Sequence, residues 1–122
     1  MRRRWRAERD RSDAAKLDLK QGRGALLDIE FALQGLVLAH AAGHPVLLGA
    51  TSNTALLEAC RVAGLLDANQ VAMLSVAHDG LLRRALACTL DLRPRIAPRD
   101  AELEMLCGEV MALTQSLGFA FA

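Results

Sequence analysis

Between Val71 and Leu92 the residues Val71, Leu74, His78, Leu81, Ala85, Cys88 and Leu92 recur at alternating steps of three and four. That rhythm keeps one stripe on one side of an α-helix, whereas a strand, with its period of two, would scatter the same residues over both faces. The spacing predicts one helix of about six turns, and its single stripe needs other elements to cover it. The rest of the chain supplies helices for the purpose: Leu and Ala provide 45 of the 122 residues, whereas Val, Ile and Thr total 12 and Tyr is absent. A sandwich or barrel is incompatible with that balance.

The neighbouring segments carry the same signals. Leu26, Ile29, Leu33 and Leu36 form a second stripe, and Gly43 and Pro45 end its helix near Ala42. Thr51 or Ser52 caps a third helix whose Leu56, Ala59, Cys60 and Ala63 lead to Gly64, a glycine placed to close the helix, with Leu65 and Leu66 over its end. Asp67 and Gln70 have capping-box spacing ahead of the long helix, which Gly80 is expected to weaken. Pro94 and Pro98 punctuate the exit, Asp100 caps, and Leu103, Leu106, Val110, Leu113 and Leu117 repeat the rhythm to the end. The expectation is an all-α bundle of about five helices in a single domain. Residues 1–17 are expected as an exposed basic helix and residues 18–122 as the bundle, with a short extended piece at Asp18 to Lys20 and a glycine turn near residues 18–24.

Several function classes fall away. The Arg-rich start has no apolar stretch behind it, so it lacks the core of a signal peptide, and a cytoplasmic location is expected. The apolar run Leu36 to Ala39 is far short of a membrane span. Cys60, Cys88 and Cys107 have neither a disulfide framework nor zinc spacing and read as small buried hydrophobes. His40 and His44 stand four apart, but Gly43 and Pro45 break the helix that would align them, so no metal site is expected. His78 reads as a core histidine with a hydrogen-bond partner. Residues 1–24 carry a charge of +5 and the remainder −4. A nucleic-acid arm is one reading of that head, but Glu8, Asp10 and Asp13 interrupt the arginines and Trp5 alone could stack on a base.

The segment Lys20-Gln21-Gly22-Arg23-Gly24 followed by the helix from Ala25 is where chemistry is expected. The amides of a helix start, its dipole and the cations Lys20 and Arg23 would together suit a phosphate, with Gly22 and Gly24 shaping the turn. The segment is not a Walker A sequence, and a plain turn into a helix explains the glycines as well. Asp28 and Glu30 are the candidate carboxylates of the site. On a helix they diverge by about 200°, which argues against joint metal chelation, and no catalytic residue is assigned to this chain.

Asp18-Leu19-Lys20-Gln21-Gly22-Arg23-Gly24-Ala25-Leu26-Leu27-Asp28-Ile29-Glu30-Phe31 closely resembles the Asp-Leu-Lys-x-Gly-x-Gly-Gly-Leu-x-Asp-Ile-Glu-Phe signature of the bacterial glutamine synthetase adenylyltransferases, in the helical region that follows a nucleotidyltransferase domain. Leu36 to Pro45, Ala55 to Leu66 and Leu81 to Leu92 also resemble that family, and Met1-Arg2 is similar to an internal Met-Arg of it. Ala25 departs from the second glycine of the signature. The Gly-Ser…Asp-x-Asp element that holds magnesium in such transferases does not occur in this sequence. A related signature ending Asp-Ile-His belongs to the PII uridylyltransferases, and Glu30-Phe31 favours the adenylyltransferases.

The resemblance implies a helical part of an adenylyltransferase that moves AMP from ATP to glutamine synthetase and removes it again. ATP and magnesium would be handled by the full enzyme, with no cofactor bound by this chain alone. The implied partners are an upstream nucleotidyltransferase domain, glutamine synthetase and, as a further candidate, the PII signal protein. The high apolar content adds an expectation of self-association. Two other readings stand beside this one: a free-standing helical protein-interaction module, and a nucleic-acid-binding protein using the Arg-rich head.

Overall fold

A computed structural model describes residues 9–50 and 52–119. In chain order the elements are β1 (Lys16–Asp18), α1 (Leu26–His40), a 3-10 turn (Pro45–Gly49), α2 (Asn53–Val62), α3 (Ala68–Leu90), β2 (Ile96–Pro98) and α4 (Ala101–Ser116). The fold is mostly helical, as the composition requires; four of the about five expected α-helices stand in the described residues, and the N-terminal one falls largely outside them. Of the helix expected over residues 1–17, residues 1–8 lie outside the described part, and Arg9, the first described residue, is helical. Beyond it the Asp10 carboxylate accepts from the Ser12 amide, and the Asp13 carboxylate accepts from the amides of Ala15 and Lys16. These side chains take up donors that a helix would need, and the chain turns. Leu17, expected on an exposed helix, is instead buried in β1.

α1 is the central helix and packs against α2, α3 and α4. Its stripe of Leu26, Ile29, Leu33 and Leu36 is buried, and each such side chain contributes about 1.5–3 kcal/mol over its exposed state. Ser52 caps α2 by accepting from the Ala55 amide, while Thr51 lies outside the described residues. At the other end of α2, Gly64 has φ +78, and its amide and that of Leu65 bond to the carbonyls of Arg61 and Cys60, a Schellman closure.

α3 starts on the expected capping box, with Asp67 accepting from the Gln70 amide and the Gln70 side chain accepting from the Asp67 amide. It buries Leu74, Ala77, Leu81, Ala85 and Cys88, and runs unbroken through Gly80, where a Cβ would come within 2.9 Å of Leu106 Cδ1. The glycine expected to weaken α3 lets α4 approach it. His78 lies beside this stripe with Nε2 3.3 Å from Asn53 Nδ2. Leu92 departs from the expected pattern. The helix stops at Leu90, the amides of Leu92 and Arg93 close it onto Thr89 and Cys88, and Leu92 stands at φ 56 with 96% of its surface exposed.

After that reversal, residues 96–98 form a strand that the prolines alone did not announce. β2 runs antiparallel to β1 with Lys16 opposite Pro98, Leu17 opposite Ala97 and Asp18 opposite Ile96. The amide of Leu19 bonding Arg95, and that of Arg99 bonding Ala15, extend the ladder at both ends. A two-stranded ribbon is marginal alone. Here it is held by burial of Leu17 and Ala97 and by packing of β2 on α3. Asp100 then caps α4 by accepting from the Leu103 amide.

Candidate functional site

The turn between β1 and α1 is gripped from inside by two buried carboxylates. Asp18 Oδ1 accepts from the amides of Lys20 (3.0 Å) and Gln21 (2.9 Å), and its Oδ2 faces the Arg11 amide at 3.3 Å and Arg11 Nε at 3.5 Å. The Asp18 amide donates to Ser12 Oγ, and its carbonyl accepts from Gly22. At the far end, Asp28 Oδ2 accepts from the Gly24 amide at 2.7 Å. A carboxylate taken out of water is costly unless its lone pairs are satisfied; here the donors are the turn's own amides.

The glycines explain why the turn can pack so closely. A Cβ at Gly22 would lie 2.6 Å from the Asp18 carbonyl oxygen and from Leu17 Cδ1. Gly24 has φ +71, and a Cβ there would overlap the main chain of Cys107, with its carbonyl carbon at 2.8 Å. The turn therefore rests directly on the backbone of α4. Burial pushes the Cys107 thiol up to about 11; Glu104 and Asp28 add to the rise, and Arg99 opposes it.

The amides at the start of α1 are committed within the chain. Those of Ala25, Leu26, Leu27 and Asp28 donate to the carbonyls of Gly22, Leu19, Lys20 and Ala25. Gly22 and Gly24 are buried, and their amides serve Asp18 and Asp28. The cationic side chains of the turn that could meet an anion are those of Lys20, half-buried, and Arg23, exposed. Arg23 lines a groove of about 400 Å³ with Asp10, Arg99, Glu104, Cys107 and Met111. Arg99 in that groove is already occupied, donating to the Asp13 carbonyl and pairing with Glu104 at 3.3 Å.

Asp28 and Glu30 diverge as helical spacing requires. Asp28 points inward to Gly24, while half-buried Glu30 lines a separate cleft of about 230 Å³ with Leu27, Phe31 and Gln34. Magnesium does not fit between them, and among the described residues no three His, Cys, Asp or Glu side chains gather as a metal site. The rings of His40 and His44 lie 6.4 Å apart at 59°. No helix among the described residues is long and apolar enough to cross a membrane. Sequence reasoning missed Ser12, Arg11, Arg99 and Glu104 as neighbours of the turn. The spacing of Asp18 ahead of Gly22 carried a signal for an Asx turn; the α4 partners, some eighty residues away, left none.

Comparison with known proteins covers this turn. The sequence matches the family described as GlnD PII-uridylyltransferase over residues 1–97. It is 47% identical over 122 residues to the bifunctional glutamine synthetase adenylyltransferase/adenylyl-removing enzyme of Stenotrophomonas maltophilia (strain K279a), covering 100% of this chain and 13% of that protein. The enzyme of the same description from Xanthomonas campestris pv. campestris (strain B100) is 45% identical over 121 residues, 99% of this chain and 13% of its own length. That from Nitrosococcus oceani is 43% identical over 93 residues, 76% of this chain and 9% of its own length. The chain spans about one eighth of the length of the first two relatives. With its turn and all but its last helix inside the matched region, the chain belongs to the GlnD PII-uridylyltransferase family, and the relatives it is similar to are described as glutamine synthetase adenylyltransferases.

Proposed function

We propose that this chain acts as the helical part of a glutamine synthetase adenylyltransferase, lying against a nucleotidyltransferase site supplied by another part of the polypeptide, and that it does no chemistry alone. In this reading Lys20 and Arg23 face the phosphates of ATP, and the bundle helps dock glutamine synthetase or a regulator such as the PII signal protein. One observation carries it: the turn is immobilised from inside by Asp18 and Asp28, so two cationic side chains stand on a backbone that needs no ordering when an anion arrives. Any magnesium would be held elsewhere, since Asp28 faces inward and Glu30 opens onto a different cleft.

The test is Lys20→Ala and Arg23→Ala in a full-length adenylyltransferase carrying this segment, assayed for AMP transfer to glutamine synthetase. A charge-assisted contact contributes about 1.5–3 kcal/mol, so kcat/KM for ATP should fall by about ten- to a hundredfold with the helical spectrum unchanged. Parameters within about twofold of the parent would overturn the role of the turn. The second reading, a helical interaction module, draws on the exposed apolar side chains Leu38, Val46 and Leu48 around the 3-10 turn. It gains if both variants are silent.

A further inference from the structure

The outer face of α3 carries a second rhythm, diametrically opposite the buried one. Ala72, Val76, Asp79, Arg83, Leu86 and Leu90 follow steps of four, three, four, three and four. At about 100° per residue they fall half a turn from Leu74, Ala77, Leu81, Ala85 and Cys88. All six are exposed: Val76 keeps 62% of its surface, Leu86 53% and Leu90 84%. Among the described residues, these leucines stand at helical spacing on the side away from the core and take no part in it.

The stripe is its own complement. Counted outward from Leu81, Asp79 mirrors Arg83, Val76 mirrors Leu86 and Ala72 mirrors Leu90. A two-fold axis at that point would lay α3 antiparallel on α3 of a second copy, with apolar pairs at both ends and two reciprocal Asp79–Arg83 ion pairs between them. In heptad terms each a position then meets a d position of the other helix, as an antiparallel two-helix seam requires, and the contact is isologous. Parallel pairing would instead set Asp79 against Asp79 and Arg83 against Arg83. Neither charge is spent within one copy: among the described residues Asp79 meets His78 Nδ1 at 4.0 Å and Arg83 has no ion pair, whereas the adjacent Arg84 holds Asp100 at 2.8 Å and Glu102 at 3.0 Å.

We propose that the outer face of α3 is a homodimer seam, joining two copies of this chain antiparallel about Leu81 through Val76–Leu86 and Ala72–Leu90 contacts and two Asp79–Arg83 pairs. The proposal does not depend on the nucleotidyltransferase reading. Sedimentation equilibrium of the 122-residue chain should show a dimer. Arg83→Glu and Asp79→Arg, each placing like charges opposite one another twice, should each raise the dissociation constant by about tenfold or more. The double variant Asp79→Arg/Arg83→Asp should bring it back to within about threefold of the parent, with the same far-ultraviolet spectrum in all four proteins. A monomer at about 1 mM would overturn the seam and leave the stripe to another part of a longer polypeptide. A dimer indifferent to the single reversals, or one that the double variant does not restore, would overturn it equally.

Discussion

Two glycine–aspartate turns introduce helices in this chain, and they do different work. At the start of α3, Gly64 takes φ +78, Asp67 caps from the surface, and a Cβ on Gly64 would meet nothing within 4 Å. Ahead of α1, Gly24 takes a similar φ of +71, but a Cβ there would enter the main chain of α4, and Asp28, which accepts from its amide, is buried. The first turn is local punctuation that solvent could replace in part. The second is a tertiary joint, and the same residue types are there because two pieces of backbone touch.

Substitution separates the two. Gly24→Ala should destabilise the chain by about 3 kcal/mol or more, since it combines a left-handed backbone with overlap against a helix that cannot yield locally. Gly64→Ala should cost only the left-handed conformation, about 1 kcal/mol. Urea denaturation of the two variants checks the difference, and equal losses would break the distinction. The carboxylates should follow with smaller effects. Asp28→Ala strands the buried Gly24 amide, a loss of about 2–3 kcal/mol, whereas Asp67→Ala removes one exposed cap, about 1 kcal/mol. Asp28→Asn keeps an acceptor for Gly24 and should recover most of the loss; failure to do so would mean that the charge, and not the hydrogen bond, holds the joint.

That contrast also marks what could be read in the sequence. The cap at Ser52, the closing Gly64, the Asp67–Gln70 box and the stripes of α1 and α3 are local, set by spacings within a few residues, and each stands where the spacing puts it. The pairing of Lys16–Asp18 with Ile96–Pro98 joins three-residue segments about eighty positions apart, and no local pattern distinguishes such a strand from a proline-bounded loop. Leu92 continues the rhythm on paper, yet the chain must reverse there to reach β2, so it leaves the helix. At the turn, the segment was legible but its orientation was not. The amides of α1 are taken by carbonyls of the turn, and the amides of Lys20, Gln21 and Gly24 by the buried Asp18 and Asp28; whether an aspartate is buried depends on what packs over it.

The smallest effect on stability, and the finest probe of the joint, is the thiol of Cys107. Gly24 rests on its main chain, and burial raises the thiol to about 11, with Glu104 and Asp28 adding to the rise against the opposing charge of Arg99. The fold thus favours the neutral thiol. Stability from this group is complete below the ordinary value of 9.0 and is lost as pH rises from there through about 11. Reactivity follows the thiolate, so at pH 8 alkylation of Cys107 by iodoacetamide should run about a hundredfold slower than that of an unhindered thiol. Its rate should keep climbing between pH 8 and pH 10, where a free thiol has begun to level off. The site of modification is read by peptide mass spectrometry, because Cys60 is also buried and raised. Gly24→Ala, which forces the turn and Asp28 away from α4, should bring the Cys107 rate toward the free value while Cys60, on the buried face of α2, stays protected. If both cysteines are released together, the turn is part of the global fold; if neither changes, Gly24 does not hold the turn against α4.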